Sequence, residues 1–293
     1  MFLQKSKENA FILAVIAAFC GGSIVVAAKI ALEVFQPFTI VFIRFLSATL
    51  FLIPLIVRAK EFKVSTIKKF IPIGIVGALN PILLFIALQY TKASVSPLIY
   101  ASVPAMTAVY VYLVRKEKIS KQSIFGIIIG FIGVALIILL PLIEKGVPLV
   151  ALKGNILIFG AAIAFMYYGI MSKKHQNEMN ASPIVLTFYF ALVTLFLSIP
   201  FAINEVRNGF LGTVELKHIL AGIYTGVVGT GIFYLAYQYA LKLGSEIAAN
   251  LFTYLQPIAT ILLASLFLGE RITIPFVIGG LLAVIGAKIA SKK

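Results

Sequence analysis

Residues 70–91 read FIPIGIVGALNPILLFIALQYT and contain no charged side chain. A helix rises about 1.5 Å per residue, so this run is long enough to cross a hydrocarbon layer of about 30 Å. It does not alternate between polar and apolar residues, as the strands of membrane barrels do. The segment therefore predicts a transmembrane helix that carries one polar side chain, Asn80, near its middle.

The rest of the chain repeats this pattern. Further apolar runs cover 9–28, 34–57, 93–114, 122–143, 154–172, 179–204, 218–241, 247–269 and 272–287. The second run is broken only by Arg44, and the short last run can be extended by the long side chain of Lys288. We predict an all-α integral membrane protein with ten transmembrane helices.

The composition supports this class and excludes others. Of the residues, 61% are hydrophobic and 12% are charged, against about 25% charged residues in soluble proteins. The net charge of +15 comes from basic residues in short loops between apolar runs, so it indicates membrane topology and not nucleic-acid binding. Cys20 is the single cysteine, which excludes a disulfide or a cysteine metal cluster within the chain. We expect no metal and no cofactor.

The basic residues also predict an orientation. With the N-terminus in the cytoplasm, the inner segments hold 17 Lys and Arg residues and the outer segments hold 7. Positive charge concentrates on the cytoplasmic side of membrane proteins. We expect no cleavable signal before the first run. We therefore expect a multi-pass protein of the inner membrane with both termini in the cytoplasm.

The two halves of the chain, 1–143 and 150–293, resemble each other. Ordered Pro, Glu and Gly matches at nearly constant shift pair Pro37 with Pro183, Pro54 with Pro200, Pro104 with Pro257, Glu117 with Glu270 and Gly126 with Gly279. Each half holds five predicted helices, and because five is odd the second half enters the membrane from the opposite face. Such inverted repeats support alternating access around a site at the membrane midplane.

Three motifs resemble a known family. They are Phe19-Cys20-Gly21-Gly22-Ser23 with Arg44-Phe45, Ala87-Leu88-Gln89-Tyr90-Thr91-Lys92-Ala93-Ser94, and Leu268-Gly269-Glu270-Arg271. Together they are similar to EamA-type members of the drug/metabolite transporter superfamily. The resemblance implies ten helices in two inverted five-helix repeats, and export of amino acids, related metabolites or small cationic compounds. Cys20 replaces the usual aromatic residue and Lys116 the usual glycine.

Polar side chains recur at helical spacing inside several runs. We expect a substrate site between the halves, lined by the first, third, fourth, sixth, eighth and ninth helices, because lipid cannot satisfy polar groups. The candidate residues are Asn80, Tyr100, Tyr168, Tyr234, Gln238, Asn250 and Tyr254. The alternative is that these side chains only form hydrogen bonds between helices.

Four charged residues near or within the apolar runs have either a structural or a functional role. Arg44 is either a functional charge or a structural link to backbone carbonyls. Lys29 is either a solvated lysine at the membrane interface or an attractor for a substrate carboxylate. Glu117 and Glu270 either bind the N–H groups of the next helix or take part in gating.

Small residues mark the fifth run. Gly126, Gly130 and Gly133 form a seam that Gly279 and Gly286 match in the tenth run. Glycines at such spacing allow two membrane helices to approach closely. We expect these helices to brace the halves or to form the surface of a homodimer, and not to line the transport path.

The sequence predicts a transporter of a small-molecule substrate. It contains no catalytic motif, and His175 and His218 lie at helix ends, so we expect no enzyme. Amino-acid export is favoured, choline-like or other organic cations are the alternative substrates, and a scaffold or channel is the alternative class. No carboxylate lies centrally in a run, which favours facilitated diffusion over proton coupling.

Overall fold

The computed structural model describes residues 2–61, 67–116, 120–145, 147–244, 249–250 and 252–290. Within these ranges the chain forms helices joined by turns and no strand. The helices are α1 Phe2–Ala31, α2 Pro37–Ala59, α3 Ile67–Leu88, α4 Val95–Tyr100, α5 Val103–Val114, α6 Lys121–Ile143, α7 Val150–Met179, α8 Pro183–Arg207, α9 Leu216–Gly226, a π-helical segment Val227–Ile232, α10 Phe233–Leu243, α11 Phe252–Leu268 and α12 Ile274–Ala290.

The helices have the length and surface of a membrane protein. Seven helical segments of the described chain are long and apolar enough to cross a membrane, and three shorter apolar helices cover Ile16–Ala31, Leu255–Leu268 and Ile274–Ala290. Large apolar side chains on α6, such as Phe125 and Ile128, are more than half exposed, as lipid-facing residues are. The prediction of an all-helical, multi-pass membrane protein is confirmed.

Local sequence explains where α2 and α8 begin. Each starts with a proline, Pro37 or Pro183, whose missing N–H is not needed in the first turn. The hydroxyl of Ser182, just before α8, accepts a hydrogen bond from the backbone N–H of Val185 at 3.2 Å. At the other end of α2, Lys60 adopts a left-handed conformation with φ of 54° and terminates the helix.

Two of the predicted runs are not uniform α-helices. The fourth run is divided into α4 and α5 at Ala101 and Ser102. Pro104 follows the break and has no N–H to donate to the carbonyl of Tyr100, so the helix cannot continue unchanged. The eighth run contains the π-helical segment between α9 and α10, where Gly229 and Gly231 allow close contact with Ile24 and Phe51. Interruptions of this kind are common at functional sites.

Helix contacts follow a twofold pattern that relates the halves. Helices α2 and α8 pack together, as do α6 and α12, and these pairs join equivalent elements. The pair α3 and α7 has its counterpart in α1 and α10, and the pair α1 and α11 has its counterpart in α7 and α4. Each half therefore packs against the other through the same kinds of interface.

The glycine seam lies within the chain. A Cβ atom added to Gly133 would lie 2.3 Å from the backbone nitrogen of Ala283, and one added to Gly286 would lie 2.1 Å from the nitrogen of Gly130. Real Cβ atoms do not approach that closely, so only glycine fits at both positions. The seam holds α6 against α12 and braces the halves, which leaves these glycines unavailable to a second copy.

The helix ends define two faces. We call the face that holds Lys29 and Glu270 the Glu270 face, and the opposite face, which holds Arg115 and Lys173, the Lys173 face. Helix α1 ends at the Glu270 face, whereas α7 begins there and ends at the Lys173 face. The first helices of the two halves therefore run in opposite directions.

Candidate functional site

A small internal cavity lies where the two halves meet. It measures about 40 Å³, and every residue of its wall is buried. The polar part of the wall consists of Arg44, Asn80, Ser96, Tyr100, Tyr234 and Gln256; the apolar part consists of Gly21, Ile24, Val25, Leu84, Phe165, Phe233 and Phe252. A cavity needs about 10–15 Å³ of accessible volume to hold one water molecule, so in this conformation the cavity has room for water but not for a metabolite.

Asn80 is the centre of the first hydrogen-bond network. Its side-chain nitrogen donates to the Tyr100 hydroxyl oxygen and to the carbonyl of Ala161, the latter at 2.9 Å. The Tyr234 hydroxyl donates to the Asn80 side-chain oxygen at 3.0 Å. The network joins α3 and α4 of the first half to α7 and α10 of the second. Three of the predicted site residues, Asn80, Tyr100 and Tyr234, are therefore brought together at the cavity.

Arg44 reaches the same cavity from α2. Its side chain is only 3% exposed. Nε donates to the Thr230 hydroxyl at 2.9 Å, and Nη2 donates to the Gly229 carbonyl at 3.2 Å. The guanidinium carbon also lies 5.4 Å from the ring centroid of Phe85 and 5.5 Å from that of Phe45. The expected bond to a backbone carbonyl is present, and its acceptor belongs to the π-helical segment.

Gln238 and Tyr168 belong to a second network, one turn nearer the Lys173 face. The Gln238 side-chain nitrogen donates to the hydroxyls of Tyr168 and Ser172, both at 2.8 Å. Gln176 in turn donates to the Gln238 side-chain oxygen at 2.9 Å. Neither Tyr168 nor Gln238 lines the cavity. The structure therefore separates them from Asn80, Tyr100 and Tyr234, with which they were grouped.

Aromatic rings connect the two networks. The ring centroids of Tyr168 and Tyr234 lie 5.6 Å apart with a T-shaped arrangement, and Phe190 lies within 4.9 Å of both rings. Such contacts add about 0.5–1.5 kcal/mol each beyond area burial. The two networks are therefore in contact through packed rings.

The last two predicted site residues lie on the chain segment that precedes and begins α11. Asn250 is buried, and its side-chain nitrogen lies 3.4 Å from the Thr107 hydroxyl. Its side-chain oxygen has no hydrogen-bond partner among the described residues. The side chain of Tyr254 lies outside the described part of the chain. The structure thus places Asn250 against α5 and away from the cavity wall.

Recesses open on both faces. Half-buried Lys29 lines two recesses of about 270 and 460 Å³ at the Glu270 face. A recess of about 710 Å³ at the Lys173 face is lined in part by Arg115 and Lys173. Each is several times larger than the cavity between the faces.

Glu270 binds the N-terminal end of another helix. Its carboxylate accepts hydrogen bonds from the backbone N–H groups of Ala93 at 2.6 Å and Ser94 at 3.0 Å, next to the start of α4. Glu270 therefore binds free N–H groups of a helix, but that helix, α4, is not the next one in the chain. Glu117, its match in the first half, lies outside the described residues.

Glu205 and Glu61 form reciprocal contacts between α2 and α8. Glu205, near the end of α8, accepts from the N–H groups of Phe38 at 3.1 Å and Thr39 at 2.7 Å at the start of α2. Glu61, after the end of α2, accepts from the Ser182 hydroxyl before the start of α8. Carboxylates at these positions offset the positive end of a helix dipole.

Several cavity residues were not predicted. Gln256 is a polar residue inside an apolar run, as Asn80 is, so the same sequence criterion could have predicted it as a site residue. Phe165 and Phe233 carry no such signal, because apolar aromatic residues are common throughout membrane helices. Among the described residues, no group of three or more His, Cys, Asp or Glu side chains is arranged to hold a metal ion.

The chain is similar to known proteins over nearly its whole length. The model of the EamA-like transporter family matches residues 9–139 and 152–291. The chain is 26% identical over 277 residues to Uncharacterized transporter YyaM of Bacillus subtilis, covering 90% of this chain and 87% of that protein. It is 28% identical over 265 residues to an Uncharacterized transporter of Clostridium kluyveri, covering 87% and 83%. A solved crystal structure shares the fold, with a TM-score of 0.68, 18% identity and 96% of both chains covered.

Proposed function

Because the chain belongs to the EamA-like transporter family, we propose that it is a secondary transporter that moves small metabolites across the cytoplasmic membrane by alternating access. The family and the named relatives identify a membrane transporter and not an enzyme. Amino acids and related compounds are the favoured cargo, and export is the favoured direction.

The cavity between the halves is the observation that carries this proposal. It is buried and partly polar, both halves contribute to its wall, and larger recesses lie on the two faces. An alternating-access transporter passes through a state in which its site is closed to both sides. Tilting one set of helices against the other would enlarge the cavity and connect it to one recess at a time.

Ten crossings in two inverted repeats fit this mechanism. The two family matches cover one half of the chain each, and α1 and α7 run in opposite directions. With both termini in the cytoplasm, the Lys173 face is cytoplasmic and the Glu270 face is external. Reporter fusions at each terminus test this orientation, and an external C-terminus contradicts it.

The chemistry of the wall suits amino acids. The amides of Asn80 and Gln256 and the hydroxyls of Tyr100 and Tyr234 can donate or accept hydrogen bonds. Apolar residues such as Phe165 supply contact area for an apolar or aromatic side chain. The alternative cargo is a choline-like cation held against aromatic faces. The alternative class is a channel or scaffold, in which the halves do not exchange positions.

Counterflow in proteoliposomes tests the proposal. Vesicles loaded with one compound from a panel of amino acids and organic cations are diluted into labelled compound. We expect saturable exchange, at least about tenfold slower with Asn80→Ala or Tyr100→Ala because both remove groups from the cavity wall. Gly160→Ala is the control, since the added Cβ meets nothing closer than 3.6 Å. Flux that does not saturate favours a channel, and absence of exchange with the whole panel contradicts the proposal.

Facilitated diffusion is the proposed driving mechanism. The described glutamates, such as Glu33, Glu144, Glu205 and Glu270, lie at helix ends and in turns and not within the cavity wall; Glu117 and Glu246 lie outside the described residues. Proton-coupled carriers place a titratable group within the membrane. We expect no accumulation of a zwitterionic substrate when a pH gradient alone is imposed on the vesicles, and accumulation above equilibrium would show proton coupling.

A further inference from the structure

Arg44 is the one Lys, Arg or Glu side chain that is buried in the described part of the chain. It lies within α2 and belongs to the wall of the central cavity. A charged group at this depth is costly to the protein unless a group of opposite charge accompanies it. The partners of Arg44 therefore indicate what the cavity is built to hold.

The protein supplies no such group among the described residues. Lys217 pairs with Glu33 and Glu215, and His218 lies 3.3 Å from Glu33; these contacts lie at helix ends and do not include Arg44. Two other carboxylates, Glu205 and Glu270, are engaged at helix N-termini. No described carboxylate lies within 4.0 Å of the guanidinium, whose two hydrogen bonds both go to neutral oxygens of Gly229 and Thr230.

The contacts of Arg44 hold the guanidinium in place without neutralising it. The Thr230 hydroxyl and the Gly229 carbonyl fix one edge of the group, and the rings of Phe45 and Phe85 lie 5.4–5.5 Å away. A guanidinium has more N–H donors than these two bonds use. Its remaining N–H groups have no acceptor among the described residues and are available at the cavity.

The other residues of the cavity wall indicate which kind of anion Arg44 can bind. Asn80, Tyr100, Tyr234 and Gln256 are neutral, so Arg44 is the one charged group among the described residues of the cavity wall. One guanidinium balances one carboxylate and can bind it through two parallel hydrogen bonds. A doubly charged phosphate would remain half compensated, and an organic cation would be repelled by a like charge in a low-dielectric site.

We propose that Arg44 is the counter-charge for the carboxylate of the transported substrate. The inference rests on the proposed function and deepens it, because it selects zwitterionic or anionic carboxylic acids and excludes choline-like cations. The neutral amides and hydroxyls then bind the rest of the polar head, and the apolar wall around Phe165 receives the side chain.

Matched probes that differ only at the carboxylate test the assignment. The probes are L-phenylalanine, its amide and phenethylamine, with L-leucine, its amide and isopentylamine as a second series, and choline as a further cation. Binding to purified protein is measured by calorimetry, and transport is measured by counterflow. We expect the wild-type protein to prefer at least one carboxylate to its amide by about tenfold or more. Arg44→Gln should reduce that ratio to about one.

Two further variants separate recognition from structural support. Arg44→Lys keeps the charge without the planar fork, and we expect an intermediate preference for the carboxylate. Thr230→Val removes the partner of Nε but keeps the guanidinium, so the carboxylate preference should remain. If Arg44 only held α2 to the π-helical segment, Thr230→Val and Arg44→Gln would change binding in the same way.

Every outcome bears on the assignment. An amine or choline bound as well as the acids by the wild-type protein overturns it, as does a carboxylate preference that survives in folded Arg44→Gln. If Arg44→Gln does not fold, the Arg44→Lys and Thr230→Val pair decides by the same ratio. Failure to bind any acid also overturns it. Arginine-dependent binding of an acid without any counterflow supports the assignment and contradicts the proposed transport function instead.

Discussion

Helices α6 and α12 meet through backbone atoms, whereas the helices around the central cavity meet through amides, hydroxyls and rings. At the seam, the site of a Cβ on Gly126 lies 2.3 Å from the backbone nitrogen of Ala290. At the cavity, Asn80 alone connects three other helices through its side chain. The first contact depends on the absence of side chains and the second on their presence.

This difference separates a fixed region from one that can change. Backbones in direct contact cannot slide without opening voids or clashing, because interiors are close-packed. Side-chain hydrogen bonds can be exchanged for bonds to water or substrate at a cost of about 1 kcal/mol each. We infer that the seam keeps its geometry during transport while the contacts around Asn80 and Tyr234 rearrange.

The largest effect is expected from an added methyl group at the seam. Gly133→Ala and Gly286→Ala place Cβ atoms against the backbone of the partner helix, which has no flexible group to give way. Overpacking in a core costs about 1–3 kcal/mol, and more where backbones must separate. We expect a loss of folded yield and a clearly lower Tm, measured by size-exclusion chromatography and thermal unfolding in detergent.

Gly160→Ala is the matched control for the seam variants. Gly160 also lies within a membrane helix, α7, but the added Cβ meets only the Leu83 side chain at 3.6 Å. Its Tm should equal or slightly exceed that of the wild-type protein, since alanine is the better helix former. Equal stability of Gly133→Ala and Gly160→Ala would contradict a rigid seam.

The same contrast explains what could be predicted. The seam can be predicted from the sequence because Gly126, Gly130 and Gly133 are spaced at helical intervals within one run. Their spacing indicates a helix face that packs closely against another helix. The partners of Asn80 lie as far away as Tyr234, and only the tertiary fold brings them together. Helical spacing identifies the polar face of a helix but not how deep in the membrane each residue of that face lies. For this reason the spacing alone groups Gln238 with the cavity residues.

The next largest effect should come from the centre of the cavity. Asn80→Leu removes the partner shared by the Tyr100 and Tyr234 hydroxyls, at a cost of about 1–3 kcal/mol for unsatisfied groups. Because Asn80 also lines the cavity, we expect counterflow per folded molecule to fall at least about tenfold. Thermal unfolding and initial exchange rates on the same preparation measure both quantities.

Asn155→Leu is the control for that substitution. Asn155 is also buried, accepts from the Thr91 hydroxyl at 2.6 Å and donates to the carbonyls of Ile137 and Ile138. It lines the recess at the Glu270 face and not the central cavity. It should lose stability to a similar extent and keep exchange within about twofold of the wild-type rate. A comparable loss of exchange in both variants would show that Asn80 acts only through stability.

A smaller effect is expected where carboxylates bind helix N-termini. Glu270→Gln and Glu205→Gln weaken matched sets of bonds, each to two backbone N–H groups and one hydroxyl. Loss of such a cap costs about 1 kcal/mol, and both variants should show a similar decrease in Tm. Of these two carboxylates, Glu270 is the one that links the end of α11 to the start of α4, and both helices contribute to the cavity wall.

Transport should distinguish these two carboxylates. If the Glu270 contact holds the closed arrangement, its weakening by about 1 kcal/mol speeds opening by about fivefold. We expect faster exchange with Glu270→Gln and an unchanged rate with Glu205→Gln, which joins helices that pack along their lengths. Unchanged rates in both variants would leave Glu270 with a structural role alone.

The smallest effect is expected from a substitution in the second network, around Gln238 and Tyr168. It tests whether this network is separate from the substrate site. Tyr168→Phe removes one hydroxyl acceptor from Gln238, which keeps its bond to Ser172 at 2.8 Å. A side-chain hydrogen bond within a membrane protein contributes about 0.6 kcal/mol on average, or roughly a threefold change in an equilibrium. Tyr168 does not line the cavity, but its ring contacts that of Tyr234, which does. The substitution should therefore change the exchange rate by up to about threefold and leave the affinity for substrate unaltered. Tyr100→Phe, which removes a hydroxyl from the cavity wall, is the reference and should lower the affinity. A comparable loss of affinity in Tyr168→Phe, measured by calorimetry on both variants, would place Tyr168 in direct contact with substrate and extend the site toward the Lys173 face.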